Sequence, residues 1–516
     1  MRKKIYFLLL FLSCFISTVV LAANHNPRTM RDLIALGLET NLGLQIEKVN
    51  VAQGSAAIEI EKSVFDSEIF AATGYDRLSI PFASSFSSAD ASNAEKLSAQ
   101  VGISKYFESG LTTSLSLSSE WVSDNDYSNN LDPHYRTALL VDLNQPLLRD
   151  LGTSINTTKL EISRNQQRQI SLAYLLRAQN LILQLEAAAR QIAGESEIVR
   201  FRQEALELAN DLYAANQKRF NAGVIPVSEV QEAETAQADR HLNLSLAMQS
   251  QNLSLEELNR QLNHNLSESF KPGSLVDSSL VVDAVKYPDF AQLFESARMK
   301  RLELKINDYA VKNSSLQQDY LRNQLKPRLD LKFQAGINGL SGNEREATPD
   351  SRYSGSWLNS FGSMGEADGY QWSVGLKFSI PLGNKSAEAR YRRSKLQLKQ
   401  DYYQHQDLEA VLKSDLSQQQ INVTSAFEQF EIAERFVVLA KKSLRQEQRR
   451  LEEGLSNTFR MISFQSKMIE AKIGRVNALT RYHLALAQME FARGNILERH
   501  GIILTNNDEE LHLENI

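Results

Sequence analysis

Six segments of the chain alternate between apolar and polar residues with a period of two. In one of them Leu97, Val101 and Ile103 fall on one face, and Gln100 and Ser104 fall on the other. This is the period of a β-strand whose two faces meet different surroundings. The predicted strands are residues 68–78, 96–107, 110–121, 136–147, 329–337 and 371–380.

These strands have the pattern of a transmembrane β-barrel. About ten to twelve residues suit a tilted strand that crosses a bilayer, with apolar residues toward lipid and Ser, Thr, Gln, Lys and Asp toward water. A soluble sandwich with one buried face would show the same alternation. The uneven loops favour the barrel, because a short turn at 108–110 contrasts with long polar loops at 79–95, 122–135 and 339–369. Aromatic residues lie near the strand ends, at Tyr75, Tyr106, Phe107, Trp121, Tyr370 and Trp372.

Six strands, or four if one hairpin is peripheral, are too few to close a barrel, since known single-chain barrels begin at eight strands. An open sheet edge in lipid leaves backbone groups unpaired, at a cost of several kcal/mol for each group. We therefore expect several copies of the chain to share one barrel.

The remaining sequence predicts very long helices. A helix of about 65 residues extends roughly 100 Å, which no compact domain accommodates, so these helices must project as a rod or tube. Apolar positions that step by three and four residues, such as Leu206, Ala209 and Tyr213, indicate coiled-coil contacts. The predicted helices are residues 30–63, 155–222, 228–265, 289–324, 386–453 and 458–499.

The two halves of the chain repeat one plan of helix, strands and two long helices, which predicts an internal structural duplication. The stretch 271–288, with Pro272-Gly273, is typical of a linker. The predicted organisation is a signal peptide at 1–23, a first repeat at 24–270, the linker, a second repeat at 289–504 and an acidic tail at 505–516.

Residues 1–23 have the pattern of a secretory signal: a basic start, an apolar run and the small residues Ala22 and Ala23. The only cysteine, Cys14, lies inside it, so the exported chain would contain no thiol. A mean hydropathy of −0.34 excludes a membrane protein made of many helical spans. A net charge of −5 argues against a broad nucleic-acid-binding face.

Recognisable catalytic and metal-binding motifs are missing from the sequence. It contains no His-Glu-x-x-His, no Gly-x-Ser-x-Gly and no phosphate-binding Gly-Lys-Ser/Thr run. The eight histidines are scattered singly. We therefore expect no enzyme activity, no catalytic residue, no metal site and no cofactor.

Two helix–turn–helix segments carry a family resemblance. Arg219-Phe220-Asn221-Ala222-Gly223 precedes Val227-Ser228-Glu229-Val230, and Arg450-Leu451-Glu452-Glu453-Gly454 precedes Asn457-Thr458-Phe459. With the export signal, the repeated halves and the strand-to-helix junctions at 145–149 and 380–383, the chain resembles the TolC-like outer-membrane factor family over about residues 28–500.

This resemblance implies a mixed α/β membrane protein: a trimeric transmembrane β-barrel continuous with a long α-helical coiled-coil tunnel through the periplasm. Such a homotrimer sits in outer-membrane lipid and docks onto a periplasmic adaptor and an inner-membrane pump or ABC secretion transporter. It is a passive exit duct for efflux or type I secretion. Family members usually supply four strands per chain, so 12 and 18 strands both remain open here. The alternative function is a trimeric coiled-coil surface protein with a barrel anchor.

The same resemblance places the functional sites at the helix tips. A glycine there permits the left-handed residue with which a helix ends, and Ser228 or Thr458 could cap the next helix. In members of that family, carboxylates narrow the periplasmic entrance of the tunnel, whereas this chain has Arg460 and Ser463 at the matching positions. We expect Glu229 and Arg460 to face each other across neighbouring tips. The expected docking residues are Phe220, Gly223, Val227, Leu451, Gly454 and Thr458, and the expected gate residues are Ser228, Glu229, Arg460 and Ser463.

Overall fold

The computed structural model describes residues 27, 29–81, 91–125, 129–266, 284–345, 352–367, 369–502, 504–507 and 510–513. The predicted signal peptide and residues 271–283 of the predicted linker lie outside these ranges. The elements in chain order are α1 Met30–Thr40, α2 Leu42–Lys62, β1 Ser67–Pro81, β2 Ala91–Tyr106, β3 Thr112–Asp124, β4 Leu131–Pro146, α3 Thr153–Asn156, α4 Thr158–Asn221, α5 Val227–Leu262, α6 Phe290–Lys300, α7 Leu302–Asn323, β5 Arg328–Glu344, α8 Trp357–Gly365, β6 Gly369–Ser379, α9 Lys385–Glu452, α10 Thr458–Ala492, α11 Ile496–Arg499, β7 Leu504–Asn507 and β8 Glu510–Leu513.

All six predicted strands are confirmed, and they form one antiparallel sheet in the order β1-β2-β3-β4-β5-β6. The hairpin that exceeds the family's usual strand count, β2–β3, lies inside this sheet. Most strands are longer than predicted, and β5 reaches 17 residues. Residues 79–81 and 91–95 of the predicted loop belong to strands, since Ser79 pairs with Asn93 and Ile80 with Ser92. Backbone pairing tolerates such polar residues, which the sequence pattern had assigned to loops.

The strand register separates the two faces of the sheet as the alternation predicted. Rows of directly opposed residues run across all six strands, and adjacent rows belong to opposite faces. An apolar row contains Ala71, Val101, Leu117, Leu139, Ile337 and Tyr370, and a polar row contains Glu68, Ser104, Ser114, Asp142, Gln334 and Ser373. We call the first the apolar face and the second the polar face. The apolar face is open, since Ile69 is 77% exposed and Leu376 is 67% exposed.

The helix predicted at 30–63 was wrong as a single element, because Asn41 separates α1 from α2. Asn41 adopts an extended conformation. Its Oδ1 accepts the backbone N–H of Leu44 at 3.0 Å, and its Nδ2 donates to the carbonyl of Gln261 at 2.6 Å. An asparagine side chain thus replaces the helical hydrogen bonds, while the apolar spacing continues on both sides. The helix predicted at 289–324 is likewise broken, at Arg301.

The long helices were predicted closely, although the last one ends earlier than expected. Helix α4 has 64 residues and α9 has 68.

The chain divides into two compact units. One comprises residues 1–48, 174–301 and 410–516, and the other comprises residues 49–173 and 302–409. In the first unit, α1 packs through Leu33 against Leu185 of α4 and Leu258 of α5.

The predicted helix 458–499 is wrong beyond Ala492, where Gly494 takes a φ of 74° and reverses the chain. The following segment packs Ile496 and Ile502 against Ile34 and Ile182. Farther on, β7 and β8 pair as a short antiparallel ladder that begins at Leu504, the last residue of the predicted second repeat, and continues into the predicted acidic tail.

A buried carboxylate holds this C-terminal segment to α4. The Glu186 side chain is fully buried and meets Arg190 Nε at 3.0 Å, Arg499 Nη2 at 3.2 Å and His500 Nε2 at 3.0 Å. Burial by itself would raise the pKa of Glu186, but the hydrogen bond from His500 and the charges of Arg499 and Arg190 lower this pKa to about 2. Burial, and then the charges of Arg190 and Arg499, lower the pKa of His483 to about 4.

Removing this charge should destabilise the chain strongly. We expect Glu186→Gln to lower the free energy of unfolding at neutral pH by about 3–5 kcal/mol, because the arginines lose a buried partner. Exposed Glu197 on the same helix pairs with Arg200 at the surface, so Glu197→Gln should cost about 0–1 kcal/mol. Denaturant unfolding followed by circular dichroism measures both values.

The pH dependence follows from the same lowered pKa values. Each group has a lower pKa in the folded chain than in the unfolded chain, so the unfolded chain takes up its proton first as the pH falls. The free energy of unfolding therefore decreases between pH 6.5 and about 4 because of His483, and between pH 4.5 and about 2 because of Glu186. The Glu186→Gln variant should lose only the second of these phases. Equal costs for the two glutamine variants, or an unchanged lower phase, would contradict this assignment.

Candidate functional site at the helix tips

Both predicted helix reversals contain the same backbone motif. At the first tip, the N–H of Gly223 donates to the carbonyl of Phe220 at 2.8 Å and the N–H of Val224 donates to that of Arg219 at 2.9 Å. Gly223 has a φ of 73°, which only glycine adopts without steric cost. These paired bonds close the helix in a Schellman motif. At the second tip Gly454, with a φ of 71°, makes the equivalent bond to Leu451 at 3.1 Å.

The next helices begin differently from expectation. The N-cap of α5 is Pro226, which provides no side-chain cap, and the N-cap of α10 is Asn457, whose side chain accepts the N–H of Arg460 at 3.0 Å. The expectation that Ser228 or Thr458 caps these helices was therefore wrong. Thr458 lies one residue after the observed N-cap of α10, and Ser228 lies two residues after that of α5.

Thr458 instead joins the two tips. Its hydroxyl is fully buried, donates to Glu229 Oε2 at 2.7 Å and accepts from Asn216 Nδ2 at 2.8 Å. Asn216 also donates to the backbone carbonyl of Glu229 at 3.1 Å. Because Asn216 is 1% exposed, breaking these contacts would leave its amide buried and unpaired. We call these three residues the inter-tip network.

A second polar cluster lies within the α9–α10 tip and centres on Glu447, which is 3% exposed. Arg460 Nε lies 3.1 Å from Glu447 Oε1, and Arg450 Nε lies 4.0 Å from Oε2. The hydroxyl of Ser456 also donates to Glu447. Within one chain, Arg460 is thus paired with Glu447, and Glu229 is bound by Thr458.

The structure therefore brings some of the predicted gate residues into contact networks and leaves others outside them. Glu229 and Arg460 each belong to a network, whereas Ser228 is exposed and Ser463 is half-buried. Sequence reasoning missed Asn216 and Glu447. Asn216 continues the spacing of Leu206, Ala209 and Tyr213, and a polar residue at such a position was the available signal.

The outer surface of each tip includes exposed apolar side chains. Phe220 is 38% exposed and Val227 is 51% exposed, and both were expected at the docking surface. Of the other residues expected there, Leu451 is half-buried and Thr458 is fully buried, whereas Gly223 and Gly454 are exposed. Sequence reasoning did not select three further exposed side chains that directly follow the glycines or the new helix start, namely Val224, Leu455 and Phe459, at 65%, 65% and 66% exposure.

The polar face of the sheet contains a cavity of about 710 Å³. Arg328 and Asp330 pair there at 2.7 Å, and Lys332, Lys377 and Asp142 also line it. Charges of both signs fit a hydrated surface rather than a buried interior. Within the described residues, no helix is long and apolar enough to cross a bilayer and no group of three or more acidic, His or Cys residues could hold a metal ion.

Comparison with solved structures identifies the fold. The outer-membrane channel OprN aligns with a TM-score of 0.65 at 14% identity, over 91% of this chain and 90% of that chain. The CmeC outer-membrane channel of Campylobacter jejuni gives 0.63 at 13% identity, over 91% and 86%. The open state of the MtrE outer-membrane channel of Neisseria gonorrhoeae gives 0.60 at 15% identity, over 92% and 90%.

The chain therefore has the TolC-like outer-membrane factor fold, as the sequence motifs predicted. No protein-family model matches the sequence. No curated protein matches it either.

Proposed function

We propose that this chain is the outer-membrane exit duct of a tripartite efflux or type I secretion system. It would conduct substrate passively from an inner-membrane transporter and a periplasmic adaptor to the cell exterior. The structural neighbours are channels, which supports transport rather than catalysis. The sheet would lie in the outer membrane and the long helices would extend into the periplasm, after removal of the predicted signal peptide.

The observation that carries this proposal is the sheet itself. Its apolar face is exposed along the whole of β6, where Trp372, Val374, Leu376 and Phe378 are 60–69% exposed. Its opposite face is polar, and within the described residues β1 and β6 each have only one partner strand. Water does not stabilise the exposed apolar face, whereas lipid does, and in lipid the two open edges need further copies of the chain as partners.

Closure by three copies would give an 18-stranded barrel, because all six strands belong to one sheet. Barrels of 16–18 strands enclose an aqueous channel, whereas eight strands leave room only for side chains. The repeated element order supports an internal duplication with repeats at 24–270 and 289–504. The polar face would line the channel.

The helix tips would form both the docking surface and the gate. Apolar side chains at both tips, above all Leu455 and Phe459, fit an adaptor that buries them. The inter-tip network and the Glu447 cluster would hold the entrance closed. Ser228, Glu229, Arg460 and Ser463 remain the proposed gate residues, and Glu447 joins them.

Planar lipid bilayers test the proposal. We expect the purified chain to insert and to give discrete conductance steps. A closed entrance would lower the conductance of the native chain. The Glu447→Ala variant, in which the proposed closing contacts are removed, is therefore measured beside it. Membranes that stay insulating with both proteins would overturn the exit-duct function.

The double variant Leu455→Ser and Phe459→Ser should keep its conductance in bilayers but lose transport in cells. Unchanged transport in cells would reject the docking surface.

A further inference from the structure

A short helix that the sequence had placed in a loop lies on the sheet. Ser119, Thr137 and Gly339 are directly opposed on β3, β4 and β5. Trp357 Nε1 of α8 donates to Ser119 Oγ at 2.8 Å, and Thr137 Oγ1 donates to the carbonyl of Ser360 at 2.9 Å. A Cβ on Gly339 would come within 1.9 Å of the same carbonyl, so α8 rests directly on the strand backbone.

Helix α8 covers the apolar face rather than the polar one. The row Ser119–Thr137–Gly339 is two residues from the apolar row that contains Leu139 and Ile337, and positions two residues apart share a face. Helix α8 lies at one end of the strands, and the junctions with the long helices lie at the other end. This follows because α8 comes after the end of β5, whereas α3 and α4 come after the end of the antiparallel neighbour β4.

Helix α8 exposes large apolar side chains, although Phe361 and Met364 are half-buried. Its fully buried residue is Ser360, whereas Leu358 is 68% exposed and Trp357 is 47% exposed. The nine-residue sequence WLNSFGSMG contains no charged residue. A helix on a soluble protein turns its apolar side inward and its polar side outward.

We propose that α8 is an interfacial membrane helix whose outer side contacts lipid at the boundary between headgroups and acyl chains. This rests on the proposed function, in which the apolar face of the sheet contacts the bilayer. Exposed Trp357 suits the interface, because its N–H is bonded to Ser119 and its apolar ring is left for the surrounding medium. Because the long helices would lie in the periplasm, α8 belongs to the outer leaflet and fixes the depth of the barrel.

Lipid fits this surface better than a neighbouring copy does. The contacts of α8 are with β3, β4 and β5, in the interior of the sheet. A second copy would approach at the edge strands β1 and β6. The surface of α8 is also continuous with the exposed apolar face, so one apolar medium can cover both.

Depth-dependent fluorescence quenching tests the inference, because the chain has only three tryptophans. One variant retains Trp357 alone and carries Trp121→Phe and Trp372→Phe. The other retains Trp372 alone, with Trp121→Phe and Trp357→Phe. Each assembled protein is placed in phosphatidylcholine vesicles whose lipids carry bromine near the headgroup or deep in the acyl chain.

We expect Trp357 to lose most of its emission to the shallow bromine and Trp372 to lose most of its emission to the deeper one. Quenching of Trp372 but not of Trp357, with Trp357 quenched by aqueous iodide or shielded by protein, would overturn the interfacial helix and leave the duct standing. A lack of lipid quenching at both positions would overturn the duct itself.

A second variant tests whether the contact with the sheet positions α8. Gly339→Val in the Trp357-only chain should displace α8 and reduce the shallow quenching, because the Ser360 carbonyl occupies the space of the new side chain. The matched control is Gly375→Val on β6, where no atom lies within 4 Å of the added Cβ. Equal quenching in both variants would contradict the positioning role, and the Trp357-only measurement stays decisive if Gly339→Val does not assemble.

Discussion

Replacing Val374 with arginine should abolish assembly in the outer membrane, whereas replacing the adjacent Ser373 with arginine should leave it intact. Val374 is 62% exposed on the apolar face, opposite Phe333, and Ser373 lies on the polar face opposite Gln334. An arginine that faces lipid near the middle of a bilayer costs about 2–4 kcal/mol. Three copies would raise this to about 6–12 kcal/mol per trimer.

The measurement is the amount of heat-resistant oligomer that is extracted from outer membranes, compared between the two variants at equal expression. The two positions are adjacent on β6 and receive the same residue, so the variants differ only in the face of the sheet that carries the arginine. Equal tolerance of both arginines, or greater harm from Ser373→Arg, would contradict a lipid-facing apolar face.

Removal of Glu447 should open the periplasmic entrance. Glu447→Ala and Arg460→Ala each remove the same contact, so each should raise the open-to-closed ratio in planar bilayers about 5–30-fold, equivalent to about 1–2 kcal/mol. The double variant should add little to either single one, whereas Glu229→Ala should add to Arg460→Ala because Glu229 binds Thr458 instead.

Exposed Glu452, on the same helix, is the matched control, and Glu452→Ala should leave gating unchanged. Non-additive effects of Glu229→Ala and Arg460→Ala would instead support the pair expected from the sequence, formed across neighbouring tips. Native gating in all of these variants would reject a gate at the helix tips.

The strands, the long helices and the tip glycines could be predicted because each has a local signal. Period-two alternation can be recognised within a single strand segment. A glycine in the left-handed conformation, such as Gly223, is expected wherever a helix ends and the chain reverses. The break at Asn41 could not be predicted, because it depends on a hydrogen bond to Gln261, 220 residues away in the sequence. The apolar spacing on both sides of Asn41 gives no sign of the break.

The candidate site was predicted less completely than the fold. Glu447 lies in a helix that is rich in charge, and only its burial beside Arg460 and Ser456 distinguishes it from its neighbours. Helix α8 was missed because its serines and glycines are typical of loops. The backbone of Ser360 packs closely on the sheet at Gly339, a contact that becomes visible only when the strands are assembled.

If one copy cannot close its own sheet, β6 of one chain must pair with β1 of the next. Cysteine cross-linking tests this pairing, because the chain without its predicted signal peptide, residues 1–23, has no thiol. A cysteine at Leu376 of β6 is combined with a second cysteine moved along β1, and the oxidised protein is separated without reductant. We predict linked dimers and trimers at one register of the β1 cysteine. An intramolecular disulfide in a monomer, or no link at any position, would contradict the shared barrel.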